Sequence, residues 1–189
     1  VDCSPTVSVS NYASNENATA TYTATASDAD NSASSITWTL TPVATTTLKA
    51  LPSAAKLSVS TGASGKITWT PTCTQAGSYG FNLKATSGGK SVTTPTITWT
   101  VNNVDCTPVM TAADYTSNEN TTGYYYATAT DADNSDSLIT WTLTPVSTTK
   151  LTALPKAAVL TDAKGSGSRV DWTPTCTQAG NYGFMLTAT

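Results

Sequence analysis

The stretch ITWTLT, Ile36 to Thr41, alternates apolar side chains with threonine. In an extended chain, residues i and i+2 point to the same face, so Ile36, Trp38 and Leu40 share one side. The threonines line the other side, where a β-branched polar residue suits a half-exposed pleated surface. The stretch therefore predicts a β-strand with one buried face and one exposed face.

The same alternation recurs in the runs TATYTATA, KITWT, YGFNLKA and TITWTV. Clusters of Gly, Pro, Asn and Asp separate these runs, and no window of a dozen residues carries a helical stripe. About six or seven short strands per hundred residues are typical of a β-sandwich. We expect Trp38, Trp69 and Trp99 to fill its core, the alternative being an exposed aromatic platform for sugars. The run Tyr124–Tyr126 must turn at least one ring outward.

An internal repeat organises the chain. VDCSP at Val1 recurs as VDCTP at Val104, an offset of 103 residues, and every other matching segment has the same offset. About 100 residues is the size of one small β-domain, so each repeat is a domain. We predict an all-β protein of two tandem sandwich domains, residues 1–103 and 104–189. Further matching pairs are SITWTLTPV with LITWTLTPV and ITWTPTCTQAGSYGF with VDWTPTCTQAGNYGF.

The second repeat is the shorter one. Thr189 corresponds to Thr86, so the second repeat has no counterpart of Ser87–Asn103, which contains the strand-like TPTITWTV. The expectation is an incomplete second domain that lacks its last strand. Either the segment is cut from a longer array, which we favour, or another chain supplies the strand.

The amino-acid composition excludes several classes of function. Charged residues are 11% of the chain, the net charge is −3 and the pI is near 4.6, so the basic patch of a nucleic-acid binder is absent. No apolar run is long enough to span a membrane, and no signal peptide is visible. The chain has no histidine, which excludes Ser-His-Asp and Cys-His catalysis and histidine-ligated metals. Low charge and four cysteines suggest an oxidising, extracellular setting, and we expect no enzyme activity.

The acidic residues are kept between the repeats while most lysines are not. Calcium would explain this, because it takes roughly six to eight oxygen ligands from carboxylates, amides and carbonyls. In an extended stretch, Asp131 and Asp133 would lie on one side, about 7 Å apart, and could reach one ion or two adjacent ones. The alternative is that DADNS is only a solvated turn. The kept pairs are Asp2 with Asp105, Glu16 with Glu119, Asp28 with Asp131 and Asp30 with Asp133.

The order of motifs resembles the bacterial and archaeal tandem Ig-like repeats, which are similar in turn to cadherin domains. The motifs are E-N, then A-x-D-A-D-N, then W-T-L-T-P, then W-T-P-T-x-x-Q-A-G-x-Y-x-F. The resemblance implies a surface adhesin, stalk or other extracellular fibre, often stiffened by calcium at the domain junctions. It also implies that a glutamate, an acidic linker and the next D-x-D share one ion.

Carried onto this chain, the resemblance gives a predicted junction site and several half-sites. The linker here lacks the full D-x-N-D-N-x-P pattern, and WTPTC replaces the acidic pair that cadherins carry after their fifth strand. The half-sites await a preceding or a following domain. The junction ligands are Glu16, Asn102, Asn103, Asp105, Asp131 and Asp133, and the half-site residues are Asp2, Asp28, Asp30 and Glu119.

Four cysteines allow three pairings. In an Ig-type sandwich, Cys73 should lie in the far loop where the chain leaves, about one strand length from Cys3. We therefore predict a Cys73–Cys106 bridge between the repeats, with Cys3 and Cys176 pairing to neighbouring repeats or subunits. Bridges within each repeat, Cys3–Cys73 and Cys106–Cys176, and free thiols are the alternatives.

Both repeats also carry an N-x-T sequon, at Asn17 and Asn120, so glycosylation is a further prediction.

The sequence thus predicts a structural segment of an extracellular or cell-surface fibre, filament or adhesin stalk. Its partners would be neighbouring repeats or identical subunits arranged head to tail, with cell-surface glycans as a second class. Nucleic-acid binding and membrane insertion are not expected. The alternative is a carbohydrate-binding module of a secreted multidomain enzyme.

Overall fold

The structure is a computed structural model that describes residues 2–189. The chain divides into two compact units, the first unit Val1–Val104 and the second unit Asp105–Thr189. The division falls one residue after the repeat boundary expected between residues 103 and 104.

In the part of the chain that the structure describes, the first unit is built from ten strands in two sheets. One sheet has the order β1-β3-β7-β6, and the other has the order β2-β10-β8-β4, with β5 and β9 also paired to β8. Along β3, buried and exposed side chains alternate over all eight residues, as the TATYTATA pattern predicts. The strands are β1 (Thr6–Ser8), β2 (Tyr12–Asn15), β3 (Ala20–Ser27), β4 (Thr37–Val43), β5 (Lys49–Ala50), β6 (Lys56–Val59), β7 (Ser64–Trp69), β8 (Gly77–Ser87), β9 (Lys90–Thr93) and β10 (Ile97–Asn102).

The strand β10 closes the first unit. It runs antiparallel to β8, with Ile97 opposite Phe81, and parallel to β2, with Trp99 opposite Tyr12. Its inward side chains are buried, and Trp99 is fully so. The predicted burial of the tryptophans is confirmed, because Trp38 and Trp69 are also buried in this core.

The strand number in the first unit exceeds the six or seven that the sequence pattern suggests. The additional strands are short: β5 has two residues, and β9 forms a hairpin with the end of β8. Such segments are too short to show a period-2 pattern, so their pairing comes from the neighbouring strand.

The second unit repeats this arrangement with seven strands among the described residues. Its sheets have the orders β11-β12-β16-β15 and β13-β17-β14. In the first unit the two-residue strand β5 pairs parallel to the long strand β8, and here β14 pairs in the same way with β17. The strands are β11 (Val109–Thr111), β12 (Gly123–Thr130), β13 (Trp141–Val146), β14 (Thr152–Ala153), β15 (Val159–Asp162), β16 (Gly167–Trp172) and β17 (Tyr182–Ala188).

The core of the second unit is smaller. Tyr125, Trp172 and Phe184 are only partly buried and pack at its margin. On either side of Tyr125, Tyr124 and Tyr126 are exposed, so the expectation that the tyrosine run turns a ring outward is confirmed. No described strand in this unit corresponds to β10.

Helical structure among residues 2–189 consists of two 3-10 turns, Ala33–Ser35 and Asp136–Leu138. None of the described helices has the length and apolar character needed to cross a membrane.

Candidate metal centre

The D-A-D-N segment of the second unit forms a tight turn. Asp131 Oδ1 accepts hydrogen bonds from the backbone N–H of Asp133 at 3.2 Å and of Asn134 at 3.1 Å. Aspartate side chains favour this self-capping turn. The extended conformation expected for the segment is therefore wrong, and the turn is what brings the two carboxylates together.

A third carboxylate joins this turn. One carboxylate oxygen from each of Asp105, Asp131 and Asp133 lies within 4.8 Å of the others. The Asn134 amide holds Asp105 by donating to its Oδ1 at 2.5 Å, and the backbone N–H of Cys106 donates to Asp133 Oδ2 at 3.2 Å. The start of the repeat and its D-A-D-N turn are thus tied together, as a shared cation site requires.

The charges in this acidic triad affect one another. Burial, together with a hydrogen bond to Asp131 and repulsion from its charge, raises the pKa of Asp133. Burial also acts to raise the pKa of Asp131, but hydrogen bonds from Asp133 and Asn134 outweigh it, so this pKa is lowered. Unequal pKa values are expected where two carboxylates share a small space, and a bound cation would relieve that repulsion.

The first unit contains a cluster with the same hydrogen-bond pattern, although within residues 2–189 only the acids of the second unit bring three carboxylate oxygens within 4.8 Å of one another. Asn31 donates to Asp2 Oδ1 at 2.6 Å, and the backbone N–H of Cys3 donates to Asp30 Oδ2 at 3.0 Å. Asp28 Oδ1 caps the turn as Asp131 does, and a hydrogen bond shared with the Asp30 carboxyl, with further hydrogen bonds, lowers the pKa of Asp28.

Two oxygens of this first-unit cluster are buried without a hydrogen-bond partner among the described residues, Asp2 Oδ2 and Asp28 Oδ2. A buried acceptor left unsatisfied costs about 1–3 kcal/mol. Beside them, the backbone at Gly88 approaches so closely that a Cβ there would collide with the side chains of Asp2 and Asn31. These oxygens have the chemistry of calcium ligands.

The predicted ligand Glu16 lies at the other end of the first unit, and its residue is only 2% exposed. Its Oε2 accepts a hydrogen bond from the backbone N–H of Val104 at 3.3 Å, while Oε1 is buried with no hydrogen-bond partner within residues 2–189. The backbone carbonyl of Asn102 accepts a hydrogen bond from the backbone N–H of Glu16 at 3.1 Å, and both Asn102 and Asn103 are exposed. A buried carboxylate with an unsatisfied oxygen is uncommon unless a cation or a further donor completes it.

Glu119, the counterpart of Glu16, is more exposed. Its Oε1 accepts a hydrogen bond from the backbone N–H of Gln178 at 3.1 Å. The structure therefore brings together the acids at the start of each repeat and separates them from the glutamate of the same repeat. Which residues meet across the junction remains a prediction.

The cysteines are in two states. Cys3 and Cys176 are free and exposed, whereas Cys73 and Cys106 are disulfide-bonded. Bridges within the repeats, Cys3–Cys73 and Cys106–Cys176, are therefore absent, because each would need one of the free cysteines.

The two sequon asparagines have a conformational reason to recur. Asn17 has φ 57° and Asn120 has φ 55°, and asparagine is among the few residues that adopt this left-handed conformation readily. The Asn17 side-chain amide also donates to Cys73 Sγ at 3.2 Å. Glycosylation of either residue remains a prediction.

Sequence reasoning missed Asn31 and Asn134, which fix the first acid of each repeat. The sequence does contain a pattern that could have indicated them, since the tetrapeptide DADN is identical in the two repeats. An amide in that position looks like an ordinary turn former, and only the tertiary fold shows that it reaches an aspartate 29 residues away.

The match to a protein-family model agrees with this fold. The family described as Putative Ig domain matches residues 4–102, about half of the chain. Among solved structures, a structure titled tandem Ig repeats of Dlar is 13% identical, covering 98% of this chain and 89% of that one with a TM-score of 0.35. No curated protein gives a match.

Proposed function

Because the chain belongs to the Putative Ig domain family, we propose that it is a structural segment of an extracellular fibre, filament or adhesin stalk. The observation that carries the proposal is the acidic triad Asp105, Asp131 and Asp133, which stands where the second repeat begins. Its work is to hold successive Ig-like units at a fixed spacing, and no catalytic role is proposed.

Calcium is the proposed ion at this triad. Three carboxylates offer up to six oxygens, close to the roughly six to eight that calcium takes, and calcium accepts the irregular geometry of such a set. The family resemblance adds Glu16, Asn102 and Asn103 as the remaining ligands. The buried Oε1 of Glu16, which has no hydrogen-bond partner among the described residues, supports its inclusion.

A disulfide between Cys73 and Cys106 is the second proposed stiffening element. Both are disulfide-bonded, and Cys106 follows directly on Asp105 of the triad. Cys3 and Cys176, which are exposed, would make the same link to neighbouring repeats or identical subunits. Persistent disulfides in such a chain imply an oxidising, extracellular location.

The acids of the first unit are proposed as a calcium half-site. Asp2, Asp28 and Asp30 share the hydrogen-bond pattern of the triad and would bind calcium fully when a preceding domain supplies a glutamate. Glu119 would supply that ligand to a following domain. Asn17 and Asn120 are the proposed glycosylation positions, testable by intact mass of native material.

The calcium proposal is tested by thermal unfolding in excess calcium and then in EDTA. A ligand at 100 times its Kd stabilises the folded state by about 2.7 kcal/mol, which shifts the Tm of a unit of this size by about 10 °C or more. Asp133→Asn should abolish the shift. The matched control is Asp162→Asn, which removes one charge from an exposed acid outside the clusters and should keep it. Equal melting in calcium and EDTA would refute the ion.

The disulfide proposal is tested by non-reducing peptide mapping of native protein. A Cys73–Cys106 peptide is expected, with Cys3 and Cys176 alkylated when the segment is isolated. A Cys3–Cys73 or Cys106–Cys176 peptide would contradict it.

Carbohydrate binding is the second candidate, favoured by one observation. Tyr124 and Tyr126 are 44% and 62% exposed on one face of β12, where the first unit has Thr21 and Thr23. Flat aromatic faces with a hydroxyl at the tip suit contact with sugar rings. Glycan-array binding that is lost in the double variant Tyr124→Thr and Tyr126→Thr would establish it, and an empty array would remove it.

A further inference from the structure

The two units differ on the outer face of one sheet. The sheet β11-β12-β16-β15 of the second unit has the same topology as the sheet β1-β3-β7-β6 of the first. Tyr124 and Tyr126 of β12 are 44% and 62% exposed on it, and the first unit has Thr21 and Thr23 at these positions. Those threonines are exposed as well, so the positions face water in both units. The second unit therefore presents two aromatic rings to solvent where the first presents hydroxyls.

An ion pair lies beside the two rings. Arg169 and Asp171 of β16 share the outer face, because Val170 between them is buried in the core. Arg169 Nε donates to Asp171 Oδ1 at 2.7 Å, and Nη2 donates to Oδ2 at 3.0 Å. In the register of the two strands, Tyr124 stands opposite Asp171 and Tyr126 stands opposite Arg169. These four side chains form a two-by-two group, which we call the outer-face block.

The arginine of this block is held by its neighbours. Its guanidinium carbon lies 5.5 Å from the centroid of the Tyr124 ring, and Nε also donates to Thr161 Oγ1 at 3.2 Å. Among residues 2–189, the other N–H groups of Arg169 have no hydrogen-bond partner. The side chains of Arg169 and Asp171 are 35% and 23% exposed, so both groups are open to a ligand. The bidentate pair thus offers donors and acceptors in fixed positions.

The first unit shows that the fold does not need this block. Lys66 and Thr68 stand at the positions of Arg169 and Asp171, and Thr68 shares a hydrogen bond with Thr21 at 3.4 Å. The register is nevertheless the same, with Thr21 opposite Thr68 and Thr23 opposite Lys66. A lysine cannot replace the planar fork of arginine in a bidentate pair. The block therefore has a role other than forming the sheet.

The chemistry of the block is complementary to a sugar. A hexose ring has a face of C–H groups, which carry a small positive charge and suit the negative face of an aromatic ring. Its neighbouring hydroxyls can donate to the carboxylate of Asp171 and accept from the guanidinium of Arg169. Tyr124 and Tyr126 are two residues apart along β12, about 7 Å, which is comparable to the length of one hexose unit.

Charge and area select the kind of occupant. The described strands of this sheet carry one cationic residue, Arg169, and two acidic residues, Asp162 and Asp171, and Asp162 stands opposite Arg169 on β15. Glycans that carry carboxylates or sulfates would meet this excess of negative charge, and neutral glycans would not. The exposed parts of the two tyrosines amount to roughly 200 Å². A stable protein interface buries about 800 Å² on each partner, so the block suits a smaller ligand.

We propose that the outer-face block binds a neutral, hexose-containing glycan. Tyr124 and Tyr126 lie against the sugar rings, while Arg169 and Asp171 bind neighbouring hydroxyls. The inference rests on carbohydrate binding, the second candidate function above, and adds to it the class of ligand and the polar residues that select it. The site involves neither the acidic triad nor the cysteines.

The test is a glycan array probed with the labelled 189-residue chain. Neutral oligosaccharides are paired on the array with versions that carry uronic or sialic acid, and stronger binding to the neutral members is expected. Titration calorimetry then compares the best neutral ligand on Arg169→Lys and Asp171→Thr, which introduce the residues that the first unit has. Each should weaken binding about tenfold, as expected for the loss of a hydrogen bond to a charged group. The matched control Lys66→Arg should leave the affinity unchanged.

A gain-of-function variant tests whether the four residues suffice. The first unit receives the block through the changes Thr21→Tyr, Thr23→Tyr, Lys66→Arg and Thr68→Asp. Because the two sheets share topology and register, the stoichiometry should rise from one glycan per chain to two. Thermal unfolding checks that this variant is folded. A folded variant that still binds one glycan would overturn the proposed site.

The other outcomes separate this inference from the functions proposed above. A preference for acidic glycans, or unchanged affinity of Arg169→Lys and Asp171→Thr, would overturn the neutral-glycan site and leave carbohydrate binding as a function. An empty array would remove both. A dimer of the chain at micromolar concentration that Tyr126→Thr dissociates would overturn the proposal in favour of a second copy as the occupant. EDTA should not change glycan binding, so failure of the calcium proposal remains distinguishable.

Discussion

The two units have nearly the same sequence pattern but differ in how completely they bury it. In the first, Trp69 is 1% exposed and contacts the rings of both Tyr79 and Trp99. In the second, Trp172 is half-buried and contacts Tyr182. The difference follows from one strand, β10, since its side chains fill the gap between the sheets.

The comparison teaches that a strand can depend on a partner far away in sequence. Tyr12–Asn15 and residues 115–118 are similar in sequence, yet only the first is a strand, because only it has β10 alongside. Local propensity was equal in the two places, and tertiary pairing decided the outcome.

The largest expected effect concerns the two equivalent tryptophans. Trp69→Ala removes a ring from a closed core and should cost about 3–5 kcal/mol of unfolding free energy. Trp172→Ala removes a ring that is already partly solvated and should cost clearly less. Hydrogen exchange of the slowest amides in β3 and in β12 reports the two units separately. Equal losses would show that the second core is as closed as the first.

A smaller effect is expected at Gly65, where the first unit has no side chain and the second unit has a serine. A Cβ at Gly65 would stand 2.6 Å from Cδ2 of Trp38, so Gly65→Ala should destabilise the first unit by about 1–3 kcal/mol through overpacking. The second unit has Ser168 at this position, beside a Trp141 that makes the same indole hydrogen bond to a glycine carbonyl. Denaturation by urea measures the change, and a loss under about 0.5 kcal/mol would mean that Trp38 moves aside freely.

A substitution at Ser168 tests how much the buried hydroxyl of this residue costs in free energy of unfolding. Ser168 is 2% exposed, and its hydroxyl has no hydrogen-bond partner in the described part of the chain. Ser168→Ala should therefore stabilise the second unit by about 1 kcal/mol, since an unsatisfied buried group is removed. Ser168→Gly serves as the control, because it removes the same hydroxyl but adds backbone entropy to the unfolded chain. A destabilising Ser168→Ala would show that the hydroxyl has a partner.

The smallest effect is on thiol reactivity. The charge of Asp30 is the largest of several effects that raise the pKa of Cys3. The others are partial desolvation, a hydrogen bond to Asp30 and the charges of Asp28 and Asp2. Because this pKa is raised, a smaller fraction of the Cys3 thiol is thiolate at pH 8 than for an ordinary cysteine, and its alkylation is slow. Asp30→Asn should lower the pKa and speed alkylation of Cys3 several-fold, while the free Cys176 in the same chain is unaffected. An unchanged Cys3 rate would mean that the aspartate charge is screened.

Much of the fold could be predicted from sequence, because the alternation in runs such as ITWTLT is a local property. The burial of Trp38, Trp69 and Trp99 followed from the same period. Asp105, Asp131 and Asp133 were all among the predicted ligands. The conformation that gathers their carboxylates was not predicted, because it is a turn around Asp131 rather than an extended strand. The roles of Asn31 and Asn134 depend on contacts across 29 residues, which no local pattern encodes.

The parallel pairing of β2 with β10 has a mechanical consequence. Both strands point the same way, and β2 lies near the start of the first unit while β10 lies at its end. A pulling force applied along the polypeptide therefore draws Tyr12–Asn15 backward and Ile97–Asn102 forward, parallel to the strands. The hydrogen bonds between them are loaded in shear and must break together rather than one at a time. The closing strand is thus also a force clamp.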